Sequence, residues 1–385
     1  MPDISSFSHL IQHRPKDRLP VGFQSKLNDN KLLIDVHTHL FNVDDVPRDY
    51  LGIRMDIPAE FLRTIQAILD ATHVDDHLLP AKFRRLIDNI LSTPTQLLAK
   101  LEGAYAGYQR ILVVLMMDMR SLGRLNRHTY RQQIEALEAL MELHPDTILP
   151  FLAIDPNQPD FIDYFKEVFT RDNRIFHGLK LYPSLGYLPS HPNLMDIYGI
   201  CEEKKIPITA HCSSALVNLR KRQLMVEGLD RAGKAFRKTV KLPSRYTYKH
   251  YFNDPARWIP VLKKHPGLKV NLAHYGGAKA WAEYQKGANG KKDGKWVHTI
   301  NALLHGFEGV YTDFSYTMYD RSATQRLVED IRNGIVPEDK ILYGSDFFLI
   351  ENEGSQEELF RQFRDQVGTA LFTKMSQENN LAFLF

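Results

Sequence analysis

The sequence predicts an α/β fold of the (β/α)₈ TIM-barrel class, and two observations support it. Segments with helical spacing separate most of the apolar runs along the chain, and strand–helix alternation repeated eight times is typical of this barrel. Most runs are continuously apolar, as expected for parallel strands buried on both faces. The eight runs are LLIDVHTH (32–39), ILVVLMMDM (111–119), ILPFLAID (148–155), HGLKLYP (177–183), IPITAHC (206–212), LKVNLAH (268–274), GVYTDFS (309–315) and ILYGSD (341–346).

A doubly wound open sheet is the alternative fold. It is disfavoured because no glycine-rich phosphate-binding fingerprint follows the first strand. The helical segments predicted between the runs are consistent with the barrel. They are predicted at 130–144, 159–170, 193–204 and 322–333.

Three insertions interrupt the alternation, and each follows the C-terminal end of a strand, where barrel active sites are assembled. We expect helical insertions after strands one and five, and a mobile glycine-rich loop at 287–294. The first insertion should contain helices near 58–70, 79–91 and 94–107. We divide the chain into an extension (1–30), the barrel (31–350, with insertions 40–108, 213–265 and 275–300) and a C-terminal helical segment packed on it (351–385).

Composition indicates a soluble globular protein, with 43% hydrophobic and 25% charged residues. No run approaches the roughly 18 apolar residues of a membrane span, and the N-terminus lacks the apolar core of a secretory signal. We therefore expect no membrane partner and a cytoplasmic location. Cys201 and Cys212 cannot build a disulfide framework, which fits a reducing compartment.

The charge is unevenly spread, although its net value of +3 is too small to indicate nucleic acid. Residues 213–265 hold thirteen Lys/Arg and three Asp/Glu, whereas the remainder holds 36 basic and 43 acidic residues. Basic side chains over an active-site mouth would attract anions. We predict a small anionic substrate, with Arg220 and Arg222 among its binding residues. A solvated basic helix is the alternative, and the sequence allows a homodimer.

Polar residues end the predicted strands, and strand parity indicates which of them face inward. On the first strand Asp35, His37 and His39 share one face, and two imidazoles at that spacing can coordinate one cation. Cys212 has the opposite parity to His211 and should face the helices. The other inward residues are Lys180, Tyr182, Thr209, His211, His274, Asp313, Ser315 and Asp346.

A metal site at this mouth is the interpretation we favour. A lone histidine is usually a surface or core residue, but an HxH pair joined by two further histidines and an aspartate at strand ends is hard to obtain by chance. Lys180 would be costly to bury without a task, so we assign it and Tyr182 to substrate binding. Asp313 is interpreted as a hydrogen-bond partner of a ligand rather than a ligand.

These residues resemble the amidohydrolase superfamily, and within it the amidohydrolase-related (family 2) metal-dependent hydrolases. The resemblance covers about residues 32–350. It implies that His37, His39, His211 and Asp346 bind one divalent metal and that His274 is a catalytic residue outside the ligand set. The motifs that carry it, in order, are IDVHTH (34–39), HGLKLYP (177–183), ITAHCS (208–213), NLAHYGG (271–277), VYTDFS (310–315) and YGSDF (343–347).

A metal site of this kind would activate a water molecule for attack on the substrate. Nitrogen-rich ligation favours Zn²⁺, with Mn²⁺ or Fe²⁺ as alternatives, and a metal-bound water would be ionised near neutral pH. Asp346 would accept the water's proton, and His274 would bond the water or polarise the substrate carbonyl. We predict one metal ion, with Lys180 an ammonium rather than a carbamate bridging two ions.

Three functions remain open on the sequence. The leading one is hydrolysis of a C–N or C–O bond in an amide, lactone or ester. A decarboxylase or hydratase would use the same metal site, since the family also includes such lyases. A non-catalytic ligand-binding barrel is disfavoured, because a decayed site would be expected to lose a ligand.

Overall fold

Eight parallel strands form a single sheet in chain order, which confirms the predicted barrel. The computed structural model describes residues 4–14, 19–27, 29, 31–50, 53–54, 81–171, 175–214, 221–230, 232–287 and 294–385. All eight predicted strands lie within these residues. They are β1 (Leu32–Thr38), β2 (Gln109–Leu115), β3 (Ile148–Ala153), β4 (Gly178–Leu181), β5 (Ile208–Ser213), β6 (Val270–Gly276), β7 (Val310–Asp313) and β8 (Ile341–Leu342).

The segment after β8 returns to β1 and nearly closes the barrel. The amide of Val36 donates to the carbonyl of Tyr343 at 3.1 Å, and Thr38 forms a parallel bridge with Phe347. Gly344 lies in this seam, where an added Cβ would stand 2.7 Å from the Cβ of His37. The two chain segments can therefore approach this closely only because position 344 has no side chain.

Helices cover the outside of the barrel, and the four clearest predictions from sequence are confirmed. Thr129 starts the helix after β2 with a capping box, in which its hydroxyl accepts from Gln132. The α-helices of six or more residues are Val21–Lys26, Ala81–Leu91, Pro94–Ala104, Tyr130–Leu143, Phe161–Thr170, Pro192–Glu203, Arg245–Phe252, Ile259–Lys264, Ala278–Tyr284, Gly294–Gly306, Arg321–Arg332 and Gln356–Val367. Two five-residue α-helices follow at Thr369–Thr373 and Asn380–Leu384, with a six-residue π-helix at Lys374–Asn379 between them.

The barrel interior is apolar below the mouth. Ile34, Val113 and Phe151 pack together there, and Phe23 and Phe383 from the two ends of the chain join the same buried cluster. The residues of alternate parity pack instead against the surrounding helices. The described residues therefore close the floor of the barrel, and the C-terminal ends of the strands are where a site for small molecules is expected.

A β-bulge in β1 makes one prediction wrong, namely that Asp35 shares a face of the strand with His37 and His39. The four residues of β1 from Asp35 to Thr38 run beside only three of β2, from Leu112 to Val114. Asp35 therefore lies on the helix-facing side, where its carboxylate accepts a hydrogen bond from Tyr105 at 2.6 Å. The bulge lets His37 and His39 face the interior while Asp35 faces the other way.

The two long insertions differ in structure. After β1, two of the three predicted helices are observed, at Ala81–Leu91 and Pro94–Ala104, and the third, at 58–70, lies outside the described residues. After β5, the predicted helices are present, but they do not make up the whole insertion. A two-stranded antiparallel hairpin, Gln223–Leu229 with Ala235–Lys241, comes first, and helices follow it.

The hairpin forms because its apolar residues alternate. Leu224, Val226 and Phe236 share one face and join a small buried cluster with Leu188 and Tyr248. The charges that dominate the segment occupy the rest of the hairpin. A pattern of period two is a strand pattern, and the high content of lysine and arginine hid it.

No helix among the described residues is both long enough and apolar enough to cross a membrane.

Candidate metal centre

Two buried imidazoles present unprotonated nitrogens at the end of β1. The Nδ1 of His39 lies 2.9 Å from the carbonyl oxygen of Leu115, which can only accept, so the proton is on Nδ1. The Nδ1 of His37 lies 2.9 Å from the carboxylate of Asp313 and is protonated for the same reason. In the neutral form of each ring, Nε2 therefore carries the bare lone pair, which is the form that binds metals.

Asp346 completes this cluster from the segment after β8. Its Oδ1 lies 3.3 Å from the Nε2 of His37 and 3.3 Å from the Nε2 of His39. Among the described residues this buried oxygen has no hydrogen-bond partner. Three possible donor atoms thus converge in a buried place, as the ligands of one cation would, and the Lys180 ammonium lies beside them, 3.4 Å from the Nε2 of His37.

The donor atoms of His37, His39 and Asp346 all lie within 4.8 Å of one another, so one ion can contact all three. A second group, His37 with His274 and Asp313, meets the same distance limit. Hydrogen bonds already account for that second group, since Asp313 accepts from the His37 ring and from the His274 amide. The first group is therefore the one that fits a metal.

The electrostatic environment keeps His37 and Asp346 in their ligand forms. Burial, followed by the neighbouring Lys180, lowers the pKa of His37 to about 3, so the ring is neutral at pH 7. Burial works to raise the pKa of Asp346, but the nearby His274 and His37 outweigh it and the pKa is lowered overall. Neutral imidazoles beside a carboxylate are the donors that divalent transition metals prefer.

His211 and His274 lie side by side at the same mouth. The Nδ1 of His211 is 3.0 Å from the Nε2 of His274, and the Nε2 of His211 is 3.1 Å from the hydroxyl of Ser213. His211 is thus outside the group formed by His37, His39 and Asp346. Its predicted role as fourth ligand, like that of His274 in catalysis, stays a prediction.

Asp313 organises the centre from β7. It is fully buried and accepts hydrogen bonds from the His37 ring, from Asn271 at 2.7 Å and from the His274 amide at 2.8 Å. Ser315 also donates to it, through both its amide and its hydroxyl. One carboxylate therefore fixes the tautomer of His37 and the position of His274, as expected of a residue behind the ligands.

Lys180 and Tyr182 follow the predicted inward course from β4. The Lys180 ammonium is 1% exposed and lies 3.4 Å from the Nε2 of His37, and burial lowers its pKa to about 8. The Tyr182 ring packs against His211, with ring centroids 4.5 Å apart. The structure therefore brings both residues to the mouth of the barrel.

A cavity of about 280 Å³ opens above these residues. Its volume suits a small organic molecule. His39, Lys180, His211, His274 and Asp346 all contribute to its lining. Residues that sequence reasoning did not assign line the rest of it, and they include Phe41, Met117, Met119, Tyr316, Tyr319, Asn352 and Glu353.

The predicted arginines are not among the described residues that line this cavity. Arg222 is exposed, and its carbonyl accepts from the amide of Leu242 at 2.7 Å where the hairpin begins. Arg220 lies outside the described residues. A direct contact of either arginine with a substrate stays a prediction.

Comparison with known proteins identifies the family. A family model described as "Amidohydrolase" (Amidohydro_2) matches residues 34–384. The chain belongs to the amidohydrolase family. No curated protein sequence matches it significantly. Members of this family are metal-dependent enzymes that act on small molecules.

Several solved structures share the fold of this amidohydrolase. A 5-carboxyvanillate decarboxylase from Novosphingobium aromaticivorans, with bound manganese and 3-methoxy-4-hydroxy-5-nitrobenzoic acid, has a TM-score of 0.55 at 13% identity, covering 92% of this chain and 97% of that one. A Burkholderia multivorans amidohydrolase with bound zinc has a TM-score of 0.53 at 11% identity, covering 92% and 99%. A probable 2-pyrone-4,6-dicarboxylic acid hydrolase from Acinetobacter baumannii has a TM-score of 0.50 at 12% identity, covering 91% and 98%.

Proposed function

We propose that this amidohydrolase cleaves a C–N or C–O bond, in an amide, lactone or ester, of a small substrate that carries a carboxylate. The supporting observation is the convergence of the bare Nε2 atoms of His37 and His39 on the unpartnered Oδ1 of Asp346. A divalent ion held there would act as a Lewis acid and lower the pKa of a bound water from about 15.7 to roughly 7.

The proposed ligands are His37, His39, His211 and Asp346. If the Nδ1 of His211 donates to His274, the Nε2 of His211 keeps a lone pair for coordination. Three imidazoles and one carboxylate favour Zn²⁺, and Mn²⁺ or Fe²⁺ would suit the same donors. Relatives of the same fold carry manganese or zinc, so metal identity is a matter for analysis of the purified protein.

The surrounding residues have separate roles in this proposal. Asp346 accepts the proton of the attacking water and passes it to the leaving group, which general acid–base chemistry requires of a carboxylate within reach of both. His274, held by Asp313 and Ser315, bonds the water or the substrate carbonyl. Lys180 meets the substrate carboxylate, which offsets the cost of burying an ammonium.

Arg220 and Arg222 contribute by attracting the anion in this proposal. Arg222 lies at the start of an exposed hairpin whose second strand carries Arg237, Lys238 and Lys241. Charge clustered near a low-dielectric opening raises the local concentration of opposite charge without touching the bound ligand.

Decarboxylation is the second candidate. A buried ammonium beside the centre suits a carboxylate that leaves as carbon dioxide as well as one that is only held. A decarboxylase is among the proteins of similar fold. The same ligands and the same cavity serve both reactions, so the product distinguishes them.

The deciding experiment combines metal analysis with a product screen. The purified chain, loaded with zinc or manganese, is offered carboxylate-bearing amides, lactones and esters, and aromatic or unsaturated carboxylic acids, and acid release and carbon dioxide release are both measured. Asp346→Asn should abolish turnover, whereas Asp365→Asn, at an exposed position, should not. Carbon dioxide release without hydrolysis would replace the first candidate by the second. Turnover that survives Asp346→Asn and metal removal would refute both.

A further inference from the structure

A side chain helps to close the barrel between β1 and the chain after β8. The Oδ1 of Asp35 accepts hydrogen bonds from two backbone amides, that of His37 at 3.0 Å on its own strand and that of Ser345 at 2.9 Å across the seam. All three residues are fully buried, so bulk water does not compete for these bonds. One carboxylate oxygen therefore links the two chain segments that meet at the seam.

Both amides belong to, or adjoin, a proposed metal ligand. His37 is itself one of these ligands, and Ser345 directly precedes another, Asp346. A second link runs the other way across the seam, since the Asp346 amide donates to the His37 carbonyl at 2.7 Å. The Nε2 of His37 and the Oδ1 of Asp346 lie 3.3 Å apart. The spacing of these two donor atoms therefore depends on how the seam is held.

The backbone at Asp346 needs support from its surroundings. Its φ of 63° lies in the left-handed region, which costs a non-glycine residue free energy and persists only where neighbouring contacts impose it. The bond from the Ser345 amide to Asp35 restrains the chain one residue before this strained position. A hydrogen bond to a carboxylate is roughly twice as strong as one between neutral groups, so Asp35 is well suited to this restraint.

The Asp35 carboxylate itself faces away from the metal centre. Its Oδ2 accepts from the Tyr105 hydroxyl at 2.6 Å, on the helix-facing side of β1. Among the described residues, neither of the two groups that could hold an ion includes Asp35, and Asp35 does not line the cavity. Its influence on an ion must therefore pass through the backbone of the ligands.

We propose that Asp35 is a positioning residue for the metal centre, which sets the spacing of His37 and Asp346 by binding the amides of His37 and Ser345 with one oxygen. The inference rests on the proposed function, in which His37 and Asp346 hold a divalent ion. It goes beyond that function because it assigns a task to a buried carboxylate that is neither a proposed ligand nor part of the cavity lining.

Zinc affinity of the full-length chain, measured by competition with a chelator, tests the inference. Asp35→Ala removes the shared acceptor and should weaken zinc binding about 10- to 100-fold, as loss of a residue behind the ligands typically does. Asp35→Asn keeps an Oδ1 for both amides, and the Tyr105 hydroxyl can then donate to that of Tyr343, 2.9 Å away. Because its bonds to the amides are neutral, Asp35→Asn should bind zinc about three- to tenfold more weakly than wild type but more tightly than Asp35→Ala.

Two further variants separate positioning from a general loss of stability. Tyr105→Phe removes a bond to Asp35 but leaves both amide bonds in place, so zinc affinity should stay within about twofold of wild type. Asp155→Asn is the matched control, because Asp155 is also fully buried and accepts from the amide two residues ahead, that of Asn157 at 2.9 Å. It should likewise stay within about twofold.

The visible absorption of the Co²⁺-loaded proteins reports on ligand geometry directly. A change in the spacing of His37 and Asp346 should alter the Co²⁺ bands in Asp35→Ala, whereas the loss of a buried charge or of stability alone should not. Zinc affinity in Asp35→Ala equal to that of wild type, or unchanged Co²⁺ bands in that variant, would overturn the inference. If Asp35→Ala does not fold, equal zinc affinities in Asp35→Asn and Tyr105→Phe would overturn it.

Amide hydrogen exchange in the metal-free proteins separates this result from the proposed function. Loss of the shared acceptor should speed exchange across residues 343–347 by about tenfold or more in Asp35→Ala, with no change in Asp155→Asn. If wild type binds neither zinc nor cobalt, the proposed function is refuted, while faster exchange in Asp35→Ala would still support the link that Asp35 makes across the seam. Unchanged exchange would overturn that link whether or not the protein binds metal.

Discussion

The Nδ1 of His37 lies 2.9 Å from the Oδ2 of Asp313, so a residue of β7 determines which nitrogen of a β1 histidine faces the metal centre. The two residues are 276 positions apart in sequence, and both are fully buried. Because the Asp313 carboxylate can only accept a hydrogen bond, the Nδ1 of His37 carries the proton that it donates, and Nε2 faces the metal centre. The carboxylate therefore fixes the tautomer of a proposed metal ligand, the role of hydrogen-bond partner that was expected for Asp313 from the sequence.

Asp313→Asn should weaken metal binding without removing a ligand. An asparagine can turn its amide nitrogen toward His37 and so favour the wrong tautomer, and loss of such a partner typically costs about 10- to 100-fold in metal affinity. Competition with a chelator measures the dissociation constant. Asp330→Asn, also buried but bonded to Tyr284 and Arg326, is the control. Equal affinity in wild type and Asp313→Asn would contradict the assignment of Asp313.

Mutation of His211 and mutation of His274 should have different effects. We expect His211→Ala to lose the metal, and His274→Ala to keep about one ion per chain while its kcat falls by roughly 10²- to 10⁴-fold. Metal content by atomic emission and steady-state kinetics on the same preparations give both quantities. Because the two rings lie 3.0 Å apart, each variant also needs a melting temperature within a few degrees of wild type. Equal metal loss in both variants would mean that their roles are wrongly assigned.

The strands and the polar residues that end them were predictable because barrels repeat one simple pattern. Buried parallel strands are continuously apolar, and each ends where chemistry is needed, so the endings VHTH and GSD stand out in sequence. Lys180 and His211 follow from the same parity within their strands. Local alternation is reliable wherever the backbone stays regular.

The features that escaped prediction are those where the backbone departs from regularity. The bulge between Asp35 and Thr38 reverses parity within one strand, and no residue type announces it. Asp346 and Tyr316 adopt positive φ angles of 63° and 54°, which neighbouring strands impose on residues that would otherwise avoid them. Glu353 escaped because pocket residues on loops have no periodic pattern to reveal them.

Lys180 should be an unmodified ammonium at a site with one metal ion. Its Nζ lies 3.4 Å from the Nε2 of His37, and Asp346 and Asp313 act on it as opposite charges. Mass spectrometry under native conditions and a crystal structure grown with bicarbonate both report on this side chain. Electron density for a carbamate on Lys180 between two ions would overturn the prediction, as would two metal equivalents that fall to one in Lys180→Met.

Tyr105→Phe should reduce stability while leaving the metal in place. The Tyr105 hydroxyl donates to the buried Asp35 at 2.6 Å and accepts from Gln356 at 2.9 Å, so its removal strips both groups of a partner. The expected loss is about 1–3 kcal/mol in the free energy of unfolding, measured by urea denaturation. Tyr311→Phe, whose ring packs on Phe383, is the control and should cost less. Metal loss in Tyr105→Phe would show that Asp35 reaches the centre after all.

Salt should slow the reaction of the true substrate if the basic insertion attracts it. Raising ionic strength from 0.1 to 1 M shortens the Debye length from about 10 to about 3 Å, so kcat/KM should fall while kcat changes little. Arg222→Ala or Arg220→Ala should raise KM more than it lowers kcat and should flatten this dependence, because an arginine that only attracts the anion affects capture rather than chemistry. Arg332→Ala, exposed at the end of a helix after β7, is the control and should leave the salt dependence unchanged. If a neutral substrate is turned over at rates that do not depend on salt, the basic insertion is a structural element, in which Val226 packs with Leu188 and Tyr248.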